Sequence, residues 1–243
     1  MTYLTHFKYV FKMQYLRNAG NLFFFAIIQI MVSLGIVVGF TYLFADPTAD
    51  TILYLATGAP TLILIITGLV ILPQQIASSK SEGYIDFIRT WPVNRALILG
   101  ADTLTWLIIT VPGIAIATVC AHFIFEPGYA ISWTIIPALL LISLTSIGVG
   151  YGFSYALPPQ GSMALSQILV FGALMFSPIN FPMERLPEWL QTLHHILPLY
   201  SMGEVMRASM AATTFTAGIE HYINLTIWLV IGFGGAILIL NKK

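Results

Sequence analysis

Charge is what this chain has least of. Only 8% of its 243 residues are Asp, Glu, Lys or Arg, against about a quarter in a soluble domain. Ten cations balance ten anions, so nothing in the net charge points to nucleic acid. The single cysteine, Cys120, excludes an intrachain disulfide. No lysine follows a glycine, so the phosphate-binding G-x-x-x-x-G-K-[ST] loop is missing and the chain is not itself a P-loop ATPase. Neither G-x-S-x-G nor H-E-x-x-H occurs. His194 and His195 are adjacent, and a helix would point them about 100° apart, which makes a poor metal pair. His122 reads as an interfacial polar residue. We therefore assign no catalytic residue, no metal ligand and no bound cofactor, and the chain is expected not to be an enzyme. From Pro127 to Met183 there is no acidic or basic residue at all. That disfavours a proton-driven carrier, which places such groups at mid-membrane.

What the chain has is apolar surface: 58% hydrophobic residues and a mean hydropathy of +0.86. These values specify an integral membrane protein. Each span needs roughly 20 apolar residues, so the length suggests about six. Six uncharged runs fit: Leu22–Ala45, Ile52–Ala77, Thr103–Phe125, Ile131–Ala156, Met163–Phe181 and Tyr222–Leu240. The expected fold class is an all-α membrane protein, one transmembrane domain over 1–243 with no internal repeat. The lead, 1–20, repeats Tyr3, Phe7, Val10 and Gln14 on one side and Lys8 and Lys12 on another. It reads as a retained interfacial helix rather than a cleaved signal peptide, because a full-length span follows it.

Lysine and arginine positions set orientation. Lys8, Lys12, Arg17, Lys80, Arg89, Arg95, Lys242 and Lys243 fall on one side of a six-span chain, and Arg185 and Arg207 on the other. Both termini are thus expected in the cytoplasm. The loops at Asp46–Thr51 and Glu126–Ala130 and the stretch from Pro182 to His221 are expected outside.

Between the second and third runs lies a polar island, Ser78 to Asp102. At 100° per residue, Tyr84, Ile85, Phe87, Ile88 and Trp91 share an arc of about 160°, opposite Glu82, Asp86 and Arg89. Ser79 and Glu82 have capping-box spacing, and Pro92 stops the helix. The pattern predicts an amphipathic helix over 79–92. A mixed-sign polar face suits a cytoplasmic protein groove better than lipid headgroups. The stretch 182–215 is too apolar for a solvated loop. Trp189, Leu190, Leu193, Ile196 and Leu197 form one helical stripe, with Pro187 in a first turn and Pro198 at the end. Ser201 and Glu204 repeat the capping spacing ahead of a second short helix. Both helices are expected to fold back into the outer leaflet, as a structural lid or in contact with substrate. Gly35/Gly39 and Gly148/Gly152 are G-x-x-x-G pairs, open to use as helix or subunit interfaces.

These two segments resemble the membrane-spanning subunit of a type-2 ABC exporter, the ABC-2 type transporter family. Glu82, Gly83, Ile85 and Asp86 match the family's Glu-Gly-Thr-Leu-Glu-like motif, with Tyr84 in place of the small residue. Thr90, Pro92, Val93 and Arg95 match its Thr-Pro-Val-basic motif, with Trp91 inserted. Phe181, Pro182, Leu186, Pro187, Trp189, Leu190, Leu197, Pro198, Leu199 and Tyr200 match its late signature.

The resemblance implies that Glu82–Trp91 (Glu82, Gly83, Tyr84, Ile85, Asp86, Phe87, Ile88, Arg89, Trp91) is a coupling helix seated on a separate ATP-binding subunit. ATP and Mg would be held there and not by this chain. It implies an external gate of Phe181, Pro182, Pro187, Trp189, Leu190, Pro198 and Tyr200. It also implies a second permease chain, identical or related. The expected function is export of an amphiphilic drug, peptide antibiotic or lipid-like compound across a bacterial or archaeal cell membrane. The alternatives are a non-transporting scaffold or sensor that docks an ATPase, and a carrier driven by carbonyl-coordinated ions.

Overall fold

The computed structural model describes residues 3–20, 22–41 and 48–241. Residues 42–45 of the expected first span, Asp46 and Pro47 of the expected loop after it, and Lys242 and Lys243 lie outside the described residues. The chain runs as α1 (Tyr3–Ala19), α2 (Leu22–Thr41), α3 (Ala49–Ile66), a π-helical turn (Thr67–Ile71), α4 (Leu72–Ser81), α5 (Tyr84–Arg89) and α6 (Arg95–Phe125). It continues as α7 (Ile135–Ala156), α8 (Pro159–Phe176), α9 (Glu188–Ile196), α10 (Pro198–Met210) and α11 (Ile219–Asn241). Among the described residues five helices are long and apolar enough to cross a membrane: Ala49–Ser81, Arg95–Phe125, Ile135–Ala156, Pro159–Phe176 and Ile219–Asn241. Thr5–Ala19 and Phe23–Val32, bent by 66° from each other, pass only together, and counting the pair as one span brings the candidates to six. No strand occurs among the described residues. The all-α membrane fold is thus the one observed.

Ala49–Ser81 is the axis of the bundle: its most apolar stretch is wholly buried, while the other spans keep much of theirs on the outside. Its neighbours approach closely because small residues meet. A Cβ on Gly150 of α7 would lie within bonding range of the Gly68 carbonyl, and one on Gly68 would lie 2.5 Å from the Ser146 backbone. Gly68 sits in the π turn, where one extra residue per turn shifts which groups face α7. Gly148 and Gly152 likewise meet Gly232 of α11. That G-x-x-x-G pair is therefore used inside this chain, and not at a subunit interface. Gly35 and Gly39 have nothing within 4 Å of a built Cβ.

Several boundaries differ from the sequence reading. The third span begins at Arg95, not Thr103, because the Asn94 side chain caps the helix by accepting from the Ala96 amide at 2.8 Å. Asp102 thus lies inside a helix, where it accepts from the Tyr151 hydroxyl at 2.7 Å. At 31 residues and about 1.5 Å each, α6 exceeds the roughly 30 Å hydrocarbon layer, so it has room for polar turns. The fourth span starts at Ile135, not Ile131. The residues before it run extended beside the end of α10, where Ala130 donates to the Met210 carbonyl at 3.0 Å and Ser132 to that of Ser209 at 2.9 Å. The fifth span is shifted to Pro159–Phe176, since Pro159 opens the helix early and Pro178 follows its end. The second and sixth are longer at both ends than expected.

Candidate functional sites at the two ends of the bundle

The helix expected over 79–92 is shorter. Ser79 does not cap it: α4 runs on through Ser81, and the Ser79 hydroxyl donates to the Gln75 carbonyl at 2.7 Å. The chain turns at Gly83, whose φ of +73° is left-handed backbone that a side chain would strain. Tyr84–Arg89 follows as α5. Its apolar arc divides. Ile85 and Ile88 are buried against the chain's own spans. Phe87 is 57% exposed, beside exposed Asp86. Trp91, half-buried, meets the Phe87 ring edge-on at 5.5 Å.

Three cations fasten this end. The Arg17 guanidinium of α1 stacks on the Tyr84 ring at 3.6 Å, donates to the Ser79 hydroxyl at 2.5 Å and pairs with Glu82 at 3.8 Å. Burial pushes the Tyr84 phenol up, which keeps the ring neutral under the cation. Arg95 donates to the carbonyls of Ile88, at 3.2 Å, and Arg89, at 2.5 Å, closing the C-terminus of α5. Lys80 donates to the carbonyls of Ser154 and Leu157, both at 2.7 Å, and of Tyr155 at 3.0 Å, closing the C-terminus of α7. The uncharged turn after α7 is therefore supplied with a charge from α4. In α1, Val10 and Gln14 face inward while Lys8 and Lys12 stay exposed, as the lead pattern predicts, but Tyr3 is 79% exposed.

At the other end the second capping spacing also fails. Ser201 lies inside α10, where its hydroxyl meets His221 Nδ1 at 3.2 Å, and Glu204 is paired with Arg207. Pro198 does not only end α9; it is the first residue of α10, and Pro187 is the cap before α9 rather than part of its first turn. The α9 stripe splits: Leu190 is buried, whereas Trp189, Leu193 and Ile196 face outward. His194 is buried instead, 2.8 Å from the Phe176 carbonyl. A carbonyl only accepts, so Nε2 carries a proton; burial holds the pKa below the ordinary histidine value, which favours the neutral ring. The last carbonyls of α9 accept from α11: Asn224 donates to that of His195 at 2.9 Å, and Trp228 to that of Ile196 at 2.8 Å.

Of the remaining gate residues, the Phe181 carbonyl accepts from Tyr54 at 3.1 Å. Tyr200 is half-buried with its ring against His195 and His221, and burial raises its phenol. Pro182 and Tyr200 also border a cavity of about 390 Å³ between the start of α3, the 180–185 turn and α10.

Beneath the cavity sits a group that sequence reasoning missed. Arg207 is fully buried, ion-paired with Glu204, stacked on Tyr54 at 3.6 Å and donating to the Ile179 carbonyl at 2.9 Å. Its one sequence signal was the i, i+3 spacing from Glu204. Among the described residues no group of three or more His, Cys, Asp or Glu could hold a metal.

Spanning helices around one buried axis, a short helix lashed to them at one end and two packed short helices at the other make this a multi-pass membrane protein. A family model described as ABC-2 type transporter matches residues 4–211, and the chain belongs to that family. No curated protein matched the chain. Membership makes the protein the transport component of an ABC-type system, a class that works with an ABC ATPase.

Proposed function

We propose that this chain is the membrane subunit of an ATP-driven exporter of amphiphilic compounds: drugs, peptide antibiotics or lipid-like molecules. Two permease chains, identical or related, work with two ATP-binding subunits that hold the ATP and Mg. The α5 end faces the cytoplasm of a bacterial or archaeal cell, and α9 and α10 face outward. The carrying observation is that α5 is held to the spans by its inner face while Phe87 and Asp86 stay exposed. An exposed aromatic flanked by charge, on a helix tied to the axis of the bundle, is a surface through which a partner can push. The apolar residues of the gate and the outer cavity support the reading as export, with cargo leaving the bilayer.

The test is capture from native membranes. A tagged chain should bring down an ATP-binding protein, and the Phe87→Ala/Asp86→Ala double variant should lose it while still reaching the membrane. Capture of none by the wild-type chain would contradict the proposal. So would undiminished capture by the variant.

A further inference from the structure

The outward face of α1 has the chemistry of a lipid-headgroup site. At about 100° per residue, Phe7, Val10, Gln14 and Asn18 share one side of this helix. Lys8, Lys12, Leu16 and Tyr9 share the opposite side, within an arc of about 100°. The fold uses the two sides accordingly. Val10, Gln14 and Asn18 are buried, and Val10 joins Ile98 and Leu99 of α6 in one apolar cluster. Lys8 and Lys12 are exposed, as are Tyr9 and Leu16, at 60% and 59%. The exposed side is itself divided. The lysines run along one edge, and Tyr9 and Leu16 run along the other, about 70° further round.

The two lysines have no anion of their own. They lie one turn apart, where like charges repel and weaken a helix. No Asp or Glu precedes Asp46 in the sequence. The carboxylates at the α5 end are Glu82, Asp86 and Asp102, and each is engaged elsewhere: Glu82 with Arg17, Asp86 with Arg89 and Asp102 with the Tyr151 hydroxyl. Among the described residues no carboxylate pairs with Lys8 or Lys12. Any anion they hold comes from outside the chain.

The course of α1 says where that anion sits. Thr5–Ala19 is bent by 66° from Phe23–Val32 of the uncharged α2, so α1 lies across the direction of α2 instead of continuing it. A helix lying across the end of a span runs along the headgroup layer, with a cationic edge among phosphates and an apolar edge in the upper acyl chains. The polar face of α5 mixes signs, with Glu82, Asp86 and Arg89, whereas this face of α1 carries positive charge alone. A single sign suits an anionic bilayer surface better than a protein groove.

We infer that this face of α1 binds anionic phospholipid of the phosphatidylglycerol type. Lys8 and Lys12 hold one headgroup phosphate between them, and Tyr9 and Leu16 rest on the glycerol and the first methylenes. Arg17 takes no part, because Ser79, Tyr84 and Glu82 already occupy it. The site depends neither on the direction of transport nor on an ATPase, since every group named belongs to this chain.

The test uses the full chain purified in a neutral detergent. It is titrated with dioleoylphosphatidylglycerol and, separately, with dioleoylphosphatidylcholine, which has the same acyl chains and no net charge. Native mass spectrometry counts the lipids bound. A lysine beside an anionic headgroup contributes about fivefold in affinity, so the first phosphatidylglycerol should bind at least about tenfold more tightly than the first phosphatidylcholine. Lys8→Gln/Lys12→Gln should bring the two lipids to within about twofold of each other, by weakening phosphatidylglycerol alone. Both side chains are exposed, so this variant should keep its melting temperature. Lys8→Arg/Lys12→Arg should keep the preference, which separates charge from lysine shape. Equal affinity of the wild-type chain for the two lipids overturns the inference and leaves the face to an acidic surface of a partner protein. A preference that survives in Lys8→Gln/Lys12→Gln overturns it as well, because the headgroup would then be held elsewhere.

Discussion

The two ends of this bundle use their few charges in opposite ways. At the α5 end, Arg17, Lys80 and Arg95 sit in separate elements, and each reaches across to another: to Ser79 and Tyr84, to the last carbonyls of α7, and to those of α5. The cations tie helix to helix, and the space beside Arg17 is small; a cavity of about 340 Å³ lies away from these cations, between the start of α1 and residues 92–97. At the α10 end one cation, Arg207, is drawn inside and shared by α10, Tyr54 of α3 and the turn before α9, with a cavity left open above it. The first arrangement suits a lever, which must pass on displacement without yielding. The second suits a vestibule, which needs fixed walls around an empty space. In a chain with so few charges, the difference teaches that Arg17, Lys80, Arg95 and Arg207 each fix a joint between elements.

Removing Arg207 should break the vestibule most severely. Arg207→Met leaves Glu204 without its partner and the Ile179 carbonyl without its donor. Loss of one member of a buried pair costs about 3–5 kcal/mol, and a thermal melt of the purified chain should show it. Arg207→Met/Glu204→Leu should regain much of the loss. At the lever end the effects are smaller because water shares the load. Lys80→Met should cost about 1–2 kcal/mol, as three carbonyls lose one charged donor, and amide exchange should rise at 153–157 before it rises elsewhere.

Arg17→Ala should cost about 1 kcal/mol. Its partner Glu82 is 60% exposed, so the ion pair adds little and the stack and the Ser79 bond carry most of it. Its larger signature should be loosened protection of the α5 amides. Smaller again is a pH effect at α9. His194 is held below its ordinary value of 6.5, chiefly by burial. Its neutral form is favoured in the folded state, so its contribution is fully present above about pH 6.5 and is lost as pH falls below that value toward the folded pKa. The melting temperature should therefore fall between about pH 7.5 and pH 5.5, and His194→Gln should flatten that fall.

The layout of spans was legible because a bilayer demands long uncharged runs, and such runs are hard to misread. Their ends were not. Asp102 ends the polar island in the sequence, yet α6 passes straight through it, since a helix stops where its caps are and not where polarity changes. Ser79–Glu82 and Ser201–Glu204 have the spacing of capping boxes but lie in or at the end of continuing helices, where that spacing is an accident of composition. The angular reading of α5 found the right apolar residues. It could not tell that Ile85 and Ile88 turn inward while Phe87 stays out, because a helical wheel does not say how many neighbours share a face. The roles of Arg207 and Lys80 were invisible for one shared reason: they depend on partners 28 and 77 residues away in the chain.

The proposed function requires that α1, α5 and the α5 end of the axis move as one body when the ATP-binding subunits close. Spin labels report this directly in the assembled complex, with Cys120→Ser removing the native thiol. One pair of labels replaces Tyr9 and Thr90, both exposed, on the two sides of the Arg17 joint; a second replaces Thr90 and Trp189, at opposite ends of the bundle. On adding ATP, the first distance distribution should stay in place while the second shifts. A shift of the Tyr9–Thr90 distance would contradict the account, because α5 would then be moving as a loose arm and not as part of the lever.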